Sequence, residues 1–167
     1  MIIKHIGQRV AVLIDVQNLY HSAKNLYGAR VNFREVLKSA VANRNLIRVF
    51  AYVVRTKTGE EKPFFEALTK LGIETRVRDL QEFYGGLKKA DWDVGITVDA
   101  IRIAPSIDTV VLVSGDGDFF QLVEYLKNQG KRVEIVAFSH SASLKLKESA
   151  DEFIDLEKNP KSIYLKK

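Results

Sequence analysis

An α/β fold with a mainly parallel central sheet is predicted by three features of the sequence. Short β-branched runs without polar interruption, above all Val10-Ala11-Val12-Leu13-Ile14 and Thr109-Val110-Val111-Leu112-Val113, read as strands buried on both faces. Segments of helical period alternate with such runs, which calls for right-handed crossovers and helices on both sides of the sheet. At 167 residues and 46% hydrophobic composition, the chain suffices for one core.

The first strand, 10–14, runs into Asp15-Val16-Gln17-Asn18. Residues 18–27 follow as a helix with Leu19, Ala23 and Leu26 inward, and Asn32 caps a second helix over 33–42. Residues 46–54 form the second strand. A helix over 60–71 buries Phe64, Ala67, Leu68 and Leu71 at helical spacing and stops at Gly72, before a third strand over 73–77. Residues 80–89, with Gly85-Gly86, show no period and are expected to be irregular, a lid being one use for them.

Residues 91–104 read as a helix carrying Val94, Val98, Ile101 and Ile103, ended by Pro105. The fourth strand, 109–113, breaks into Ser114-Gly115-Asp116-Gly117-Asp118. A helix over 118–128 stops at Gly130, a fifth strand covers 133–138, and a short helix over 141–150 leads into Phe153-Ile154. No repeat, low-complexity tract or linker interrupts this pattern. A single domain over 1–167 is expected, with its core at about 10–156 and a basic tail over 157–167.

Composition narrows the function classes. The absence of cysteine excludes disulfides and thiolate metal sites and suits a reducing cytoplasm, where the protein is expected to reside. No apolar stretch approaches the roughly 20 residues of a membrane span, and no signal-peptide pattern opens the chain. The net charge is +5 and the pI about 9.3, although the two strand ends concentrate acid. A basic body around an acidic pocket suits a polyanionic substrate brought to a cation-loaded centre.

The acids carry the chemistry. Ligands bind beyond the carboxyl ends of the strands in open α/β sheets, so Asp15, Asp116 and Asp118 meet there if the first and fourth strands are neighbours. Carboxylates crowded together repel by about 3–4 kcal/mol per pair at about 4–5 Å and an effective dielectric near 20. Mg²⁺ or Mn²⁺, which prefer carboxylate and water oxygens, offset that repulsion, activate water and stabilise charge on a phosphodiester. Each acid also has a structural use, since Asp15 and Asp118 can cap the helices that follow them.

A further acidic cluster lies in Lys88-Lys89-Ala90-Asp91-Trp92-Asp93-Val94-Gly95-Ile96-Thr97-Val98-Asp99. Asp93 and Asp99 stand about 240° apart on a helix, so at most one is a direct ligand. Asp91 suits the cap and Asp93 the first turn. Asn18 orients a carboxylate or water, or starts a helix; Ser114 binds phosphate or closes a turn. Lys88 and Lys89 grip phosphate or are simply solvated, and Arg55, Lys57, Arg76 and Arg78 extend a basic track for a single strand.

Competing chemistries lack their residues. No G-x-S-x-G turn occurs, and His5, His21 and His140 have no ligand-like spacing. An aspartyl-phosphate enzyme needs an acid at Gln17, a Toprim-like nuclease a Glu at the first strand, and a Rossmann oxidoreductase a glycine fingerprint after it.

Val12-Leu13-Ile14-Asp15-Val16-Gln17-Asn18, Lys89-Ala90-Asp91-Trp92-Asp93-Val94 and Ser114-Gly115-Asp116-Gly117-Asp118-Phe119, in this order, resemble the NYN domain family of the PIN-like nuclease superfamily, in its bacterial LabA-like branch. The resemblance runs from about Val10 to Leu156. It implies a three-layer α/β/α, PIN-like (Rossmann-like) fold with strand order 3-2-1-4-5. It also implies a metal-dependent ribonuclease using Mg²⁺ or Mn²⁺, with Asp15, Asp93, Asp116 and Asp118 at the family's acidic positions and Asn18 as the accompanying amide. Asp99 matches a recurrent acid, and Asp93 is assigned because Val94 follows it as in the family pattern. RNA, single-stranded, is the implied partner. A homodimer is a further expectation, with Tyr84 or Tyr164 available to it. The alternative reading is a non-catalytic regulatory or RNA-binding module with a structural metal.

Overall fold

The computed structural model describes residues 4–82, 88, 89 and 91–164, and of residues 81, 82, 88 and 89 the backbone alone. Its strands are β1 (Arg9–Asp15), β2 (Arg30–Val31), β3 (Asn45–Arg55), β4 (Glu74–Asp79), β5 (Gln81–Glu82), β6 (Lys88–Lys89), β7 (Thr109–Val113), β8 (Arg132–Ala137), β9 (Glu152–Asp155) and β10 (Ile163–Tyr164). Its α-helices are α1 (Val16–Tyr27), α2 (Phe33–Val41), α3 (Lys62–Lys70), α4 (Asp93–Ile103), α5 (Phe120–Asn128) and α6 (Leu144–Ser149).

Six strands form one parallel sheet in the order β4-β3-β1-β7-β8-β9. The first five reproduce the expected 3-2-1-4-5 order; β9, where only a lead-out from a helix was expected, adds a sixth strand at the edge. Strand order turns back between β1 and β7, whose residues 10–14 and 109–113 pair in register. Asp15 and Ser114 therefore leave the sheet side by side at its carboxyl end.

Alternation along β1 builds the three layers. Val10, Val12 and Ile14 join a core with Leu19 of α1, Val36 of α2 and Leu68 of α3. Ala11 and Leu13 join a second core with Ile96 and Ala100 of α4 and Leu122 and Leu126 of α5. All five strand residues are fully buried, as an unbroken apolar run in a covered sheet should be.

Several expectations are corrected. Leu26 is 37% exposed because Gly28 turns the chain away at the end of α1. On α3 only Leu68 is buried; Phe64 and Leu71 are half-buried and Ala67 exposed, because a groove stands open between α1 and α3. On α4 the buried face is Ile96, Ala100 and Ile103, so Val94, Val98 and Ile101 lie on the exposed side. That helix is apolar around most of its circumference, and spacing alone does not choose a face.

Within 80–89, β5 and β6 pair antiparallel, so the ends of that segment are regular; its middle, with Tyr84 and the suggested lid, lies outside the described residues. The expected tail is docked as far as Tyr164, since β10 pairs antiparallel with β2 and the Ser162 carbonyl accepts the Asn32 N–H at 2.7 Å. Lys166 and Lys167 lie outside the described residues. Among the described residues no helix is long and apolar enough to cross a membrane.

One buried ion pair joins α2 to the sheet. Arg44 donates two hydrogen bonds of 2.8 Å to the Glu134 carboxylate of β8, and both side chains are fully buried. The same guanidinium donates to the Ala40 and Val41 carbonyls at the end of α2 and to Gln8. Arg132 adds a third donor to Glu134 at 2.8 Å.

Candidate metal centre

Asp15 ends β1 and caps α1. One carboxylate oxygen accepts the Asn18 N–H at 3.3 Å, and the other accepts the Ser114 hydroxyl at 3.0 Å. Ser114, itself fully buried, also accepts the Asp116 N–H at 3.2 Å. The Asn18 side-chain oxygen reaches across to the Gly115 N–H at 2.9 Å. These four contacts lock the carboxyl ends of β1 and β7 together, so Ser114 and Asn18 act as ties that set the carboxylates' positions.

The acidic turn after β7 is pressed against the start of α6. The Ser143 N–H donates to the Gly115 carbonyl at 2.9 Å. A Cβ on Gly115 would stand 2.9 Å from the Ala142 backbone, and one on Gly117 would stand 2.9 Å from the Ser143 hydroxyl. The backbone contact requires glycine at 115, while at 117 the Ser143 side chain would have to give way.

Asp93 comes from the opposite layer, in the first turn of α4. The preceding turn is held from several sides: Asp91 accepts the Asp93 N–H at 2.7 Å, and the Trp92 indole N–H donates to the Val53 carbonyl at 2.9 Å. Arg78 lies 4.2 Å over the Trp92 ring and donates to the Asp91 carbonyl. Gly95 makes room for that ring, which would meet a Cβ at 2.5 Å.

Together these elements place one oxygen each of Asp15, Asp93 and Asp116 within 4.8 Å of one another. Asp118 is outside this group: it is exposed, and its backbone N–H donates to Asp116 at 2.9 Å. Asp99 is also elsewhere, accepting the Tyr52 hydroxyl at 2.8 Å and pairing with Arg76 at 3.3 Å. Its position 240° around the helix accounts for the separation. Arg55 is paired with Asp79 at 2.8 Å, and the Lys88 and Lys89 side chains lie outside the described residues.

Electrostatics follow from this crowding. Burial, outweighing the hydrogen bonds from Asn18 and Ser114, holds Asp15 above the usual carboxylate range, with Asp116 and Asp91 adding to the rise. Asp93 is pushed up to about 7, first by desolvation, then by a hydrogen bond with Asp91 and by the charges of Asp116, Asp91 and Asp15. Among the described residues no Lys or Arg pairs with Asp15, Asp93 or Asp116. A hard, oxygen-only donor set of this kind fits Mg²⁺ or Mn²⁺, which take one or two carboxylates and keep several waters.

A folded pKa above the unfolded one means that stability is complete below about pH 4 and is lost as pH rises through about 7. In chelator, Asp93→Asn is therefore expected to melt with the parent below about pH 4 and above it at about pH 8. Equal melting temperatures at both values would show that Asp93 is not strained by its neighbours.

Sequence reasoning placed Asp91 in the acidic cluster as a cap, and missed Trp92 with Gly95 as the support of its turn. The signal was present: a lone tryptophan between two acids, three residues before a glycine.

Comparison with known proteins bears on the same residues. The NYN domain family model matches residues 9–157. Low amplitude and bright protein LabA of Synechococcus elongatus is 29% identical over 157 residues, covering 89% of this chain and 83% of LabA. Uncharacterized protein MJ0482 of Methanocaldococcus jannaschii is 27% identical over 153 residues, and the match spans 55% of that longer protein. A crystal structure of a protein of unknown function, VPA0982 from Vibrio parahaemolyticus, superposes with a TM-score of 0.87 at 30% identity, covering 98% of this chain and all of that one.

Proposed function

The chain belongs to the NYN domain family, a PIN-like nuclease family, and from that premise we propose that it is a metal-dependent ribonuclease. It hydrolyses RNA phosphodiester bonds at the group formed by Asp15, Asp93 and Asp116. The observation that carries this reading is three carboxylate oxygens within 4.8 Å of one another, with no Lys or Arg paired to them among the described residues, where the strand order turns back. Mg²⁺ or Mn²⁺ bound there supplies an activated water and offsets the charge that develops on the phosphate.

The chain's own residues do the rest. Asp15, fixed by Ser114 and Asn18, is the rigid member of the group. Asp93, crowded by Asp91, Asp116 and Asp15, gains most from the ion's charge and completes the group that would hold it. Asp118 serves water or a second ion at the rim, and Arg78, exposed beside the Asp91 turn, meets a phosphate of the strand. A basic chain with net charge +5 draws the polyanion in.

The test is cleavage of an end-labelled single-stranded RNA with Mg²⁺, Mn²⁺ or EDTA. Cutting that needs the ion and stops in EDTA is the expected result. RNA that is bound but left intact under every ion would transfer the reading to a regulatory binding module.

A further inference from the structure

The groove that leaves α3 half-covered is a cavity of about 880 Å³ between α1 and α3, toward the upper end of the roughly 300–1,000 Å³ of small-molecule sites. It adjoins the acidic centre through two stretches of backbone. Val16 and Gln17, which line it, directly follow Asp15; Val53, which also lines it, accepts the indole N–H of Trp92, the residue before Asp93. Phe64 and Leu68 supply an apolar wall, and Tyr20, 48% exposed, borders it.

Two polar features define what the groove takes. Glu61 lines it with a carboxylate of which one oxygen accepts the Thr56 N–H at 3.3 Å and hydroxyl at 2.5 Å, while the other is buried without a partner. The bonds from Thr56 hold this carboxyl below its usual range, so it is an ionised acceptor with one oxygen left over. Arg30, Arg34 and Lys70 line the same groove, three cations against one acid. A ligand with an N–H on a flat, partly apolar body and an anion attached matches both features.

We propose that this groove is a subsite for one unpaired nucleotide of the RNA strand flanking the scissile bond, with a base N–H on Glu61 and a phosphate on the Arg30, Arg34 and Lys70 side. The proposal rests on the ribonuclease reading. In a duplex the N–H groups of the base's pairing edge are already engaged, so the subsite selects single-stranded substrate.

Fluorescence anisotropy in EDTA, with a labelled ten-nucleotide RNA alone and annealed to its complement, separates binding from cleavage. The single strand is expected to bind tighter, and Arg34→Ala with Lys70→Ala to weaken it about tenfold. In Glu61→Gln the amide oxygen stays on Thr56 and the NH₂ takes the place of the unpartnered oxygen, which turns an acceptor into a donor. The ranking of oligo(A), oligo(C) and oligo(U) is then expected to change, with the melting temperature as a folding control. Variants that bind like the parent while the parent cleaves RNA would overturn the subsite and leave the ribonuclease reading standing. A parent that neither binds nor cleaves RNA would remove both. A change of sedimentation mass in Tyr20→Arg, with RNA binding unaltered, would make the groove an interface between copies instead.

Discussion

Asp116→Asn is expected to lower ion-dependent RNA cleavage about a thousandfold while the chelated protein melts no lower than the parent. The two effects share one cause. The Asn oxygen still accepts the Asp118 N–H, so the turn after β7 is kept. What disappears is one of three charges within 4.8 Å, each pair of which repels by about 3–4 kcal/mol at an effective dielectric near 20. Solvent reaching the half-exposed members reduces the recovered stability to about 1 kcal/mol, or about 2–4 °C. Cleavage of end-labelled RNA and thermal melting in EDTA check both halves. Undiminished cutting by the variant would move the chemistry away from these acids, and a large drop in melting temperature would make Asp116 a structural residue.

Glu134→Ala is expected to be the most damaging single change for folding, at about 3–5 kcal/mol, or about 6–20 °C in melting temperature. It strands the buried Arg44 guanidinium, which keeps only the Ala40 and Val41 carbonyls and Gln8 as partners. The cost comes from the orphaned charge more than from the lost attraction, so Arg44→Met combined with Glu134→Leu is expected to recover much of the loss. Calorimetric melting of Arg44→Met, Glu134→Leu and the double variant decides it. Additive losses would show that the two residues are not coupled.

The pair also sets the acid limit of the fold. Burial alone favours the neutral Glu134 carboxyl, but hydrogen bonds from Arg44 and Arg132 outweigh it and hold the group below its ordinary value. Its contribution is therefore present above the unfolded carboxyl range and disappears as pH falls through the lowered folded value. Asp93 has the opposite sign, so the two acids tilt the stability curve in opposite directions.

The sheet was legible because strands covered on both faces are written as unbroken apolar runs, and 10–14 and 109–113 needed no further context. The site was legible where a strand end carried its acid directly, as at Asp15 and Asp116. Legibility failed where a side chain's direction depends on a local hydrogen bond. Asp99 is captured by Tyr52 and Arg76, which a one-dimensional pattern does not display. The same limit explains α3, whose apolar positions were spaced for burial but face a neighbour that stands off.

Asp15 does two jobs that its partners in the acidic group do not share. It joins two strand ends through Ser114 and starts α1 through Asn18, whereas the side-chain partner of Asp93 among the described residues is another acid, Asp91. A descendant of this chain that abandoned catalysis would still be held to Asp15 by its architecture. It would be relieved of strain by discarding Asp93. The survival of the first acid in a related sequence is thus weak testimony to activity, and the survival of the second, which the fold alone does not require, is the more telling mark.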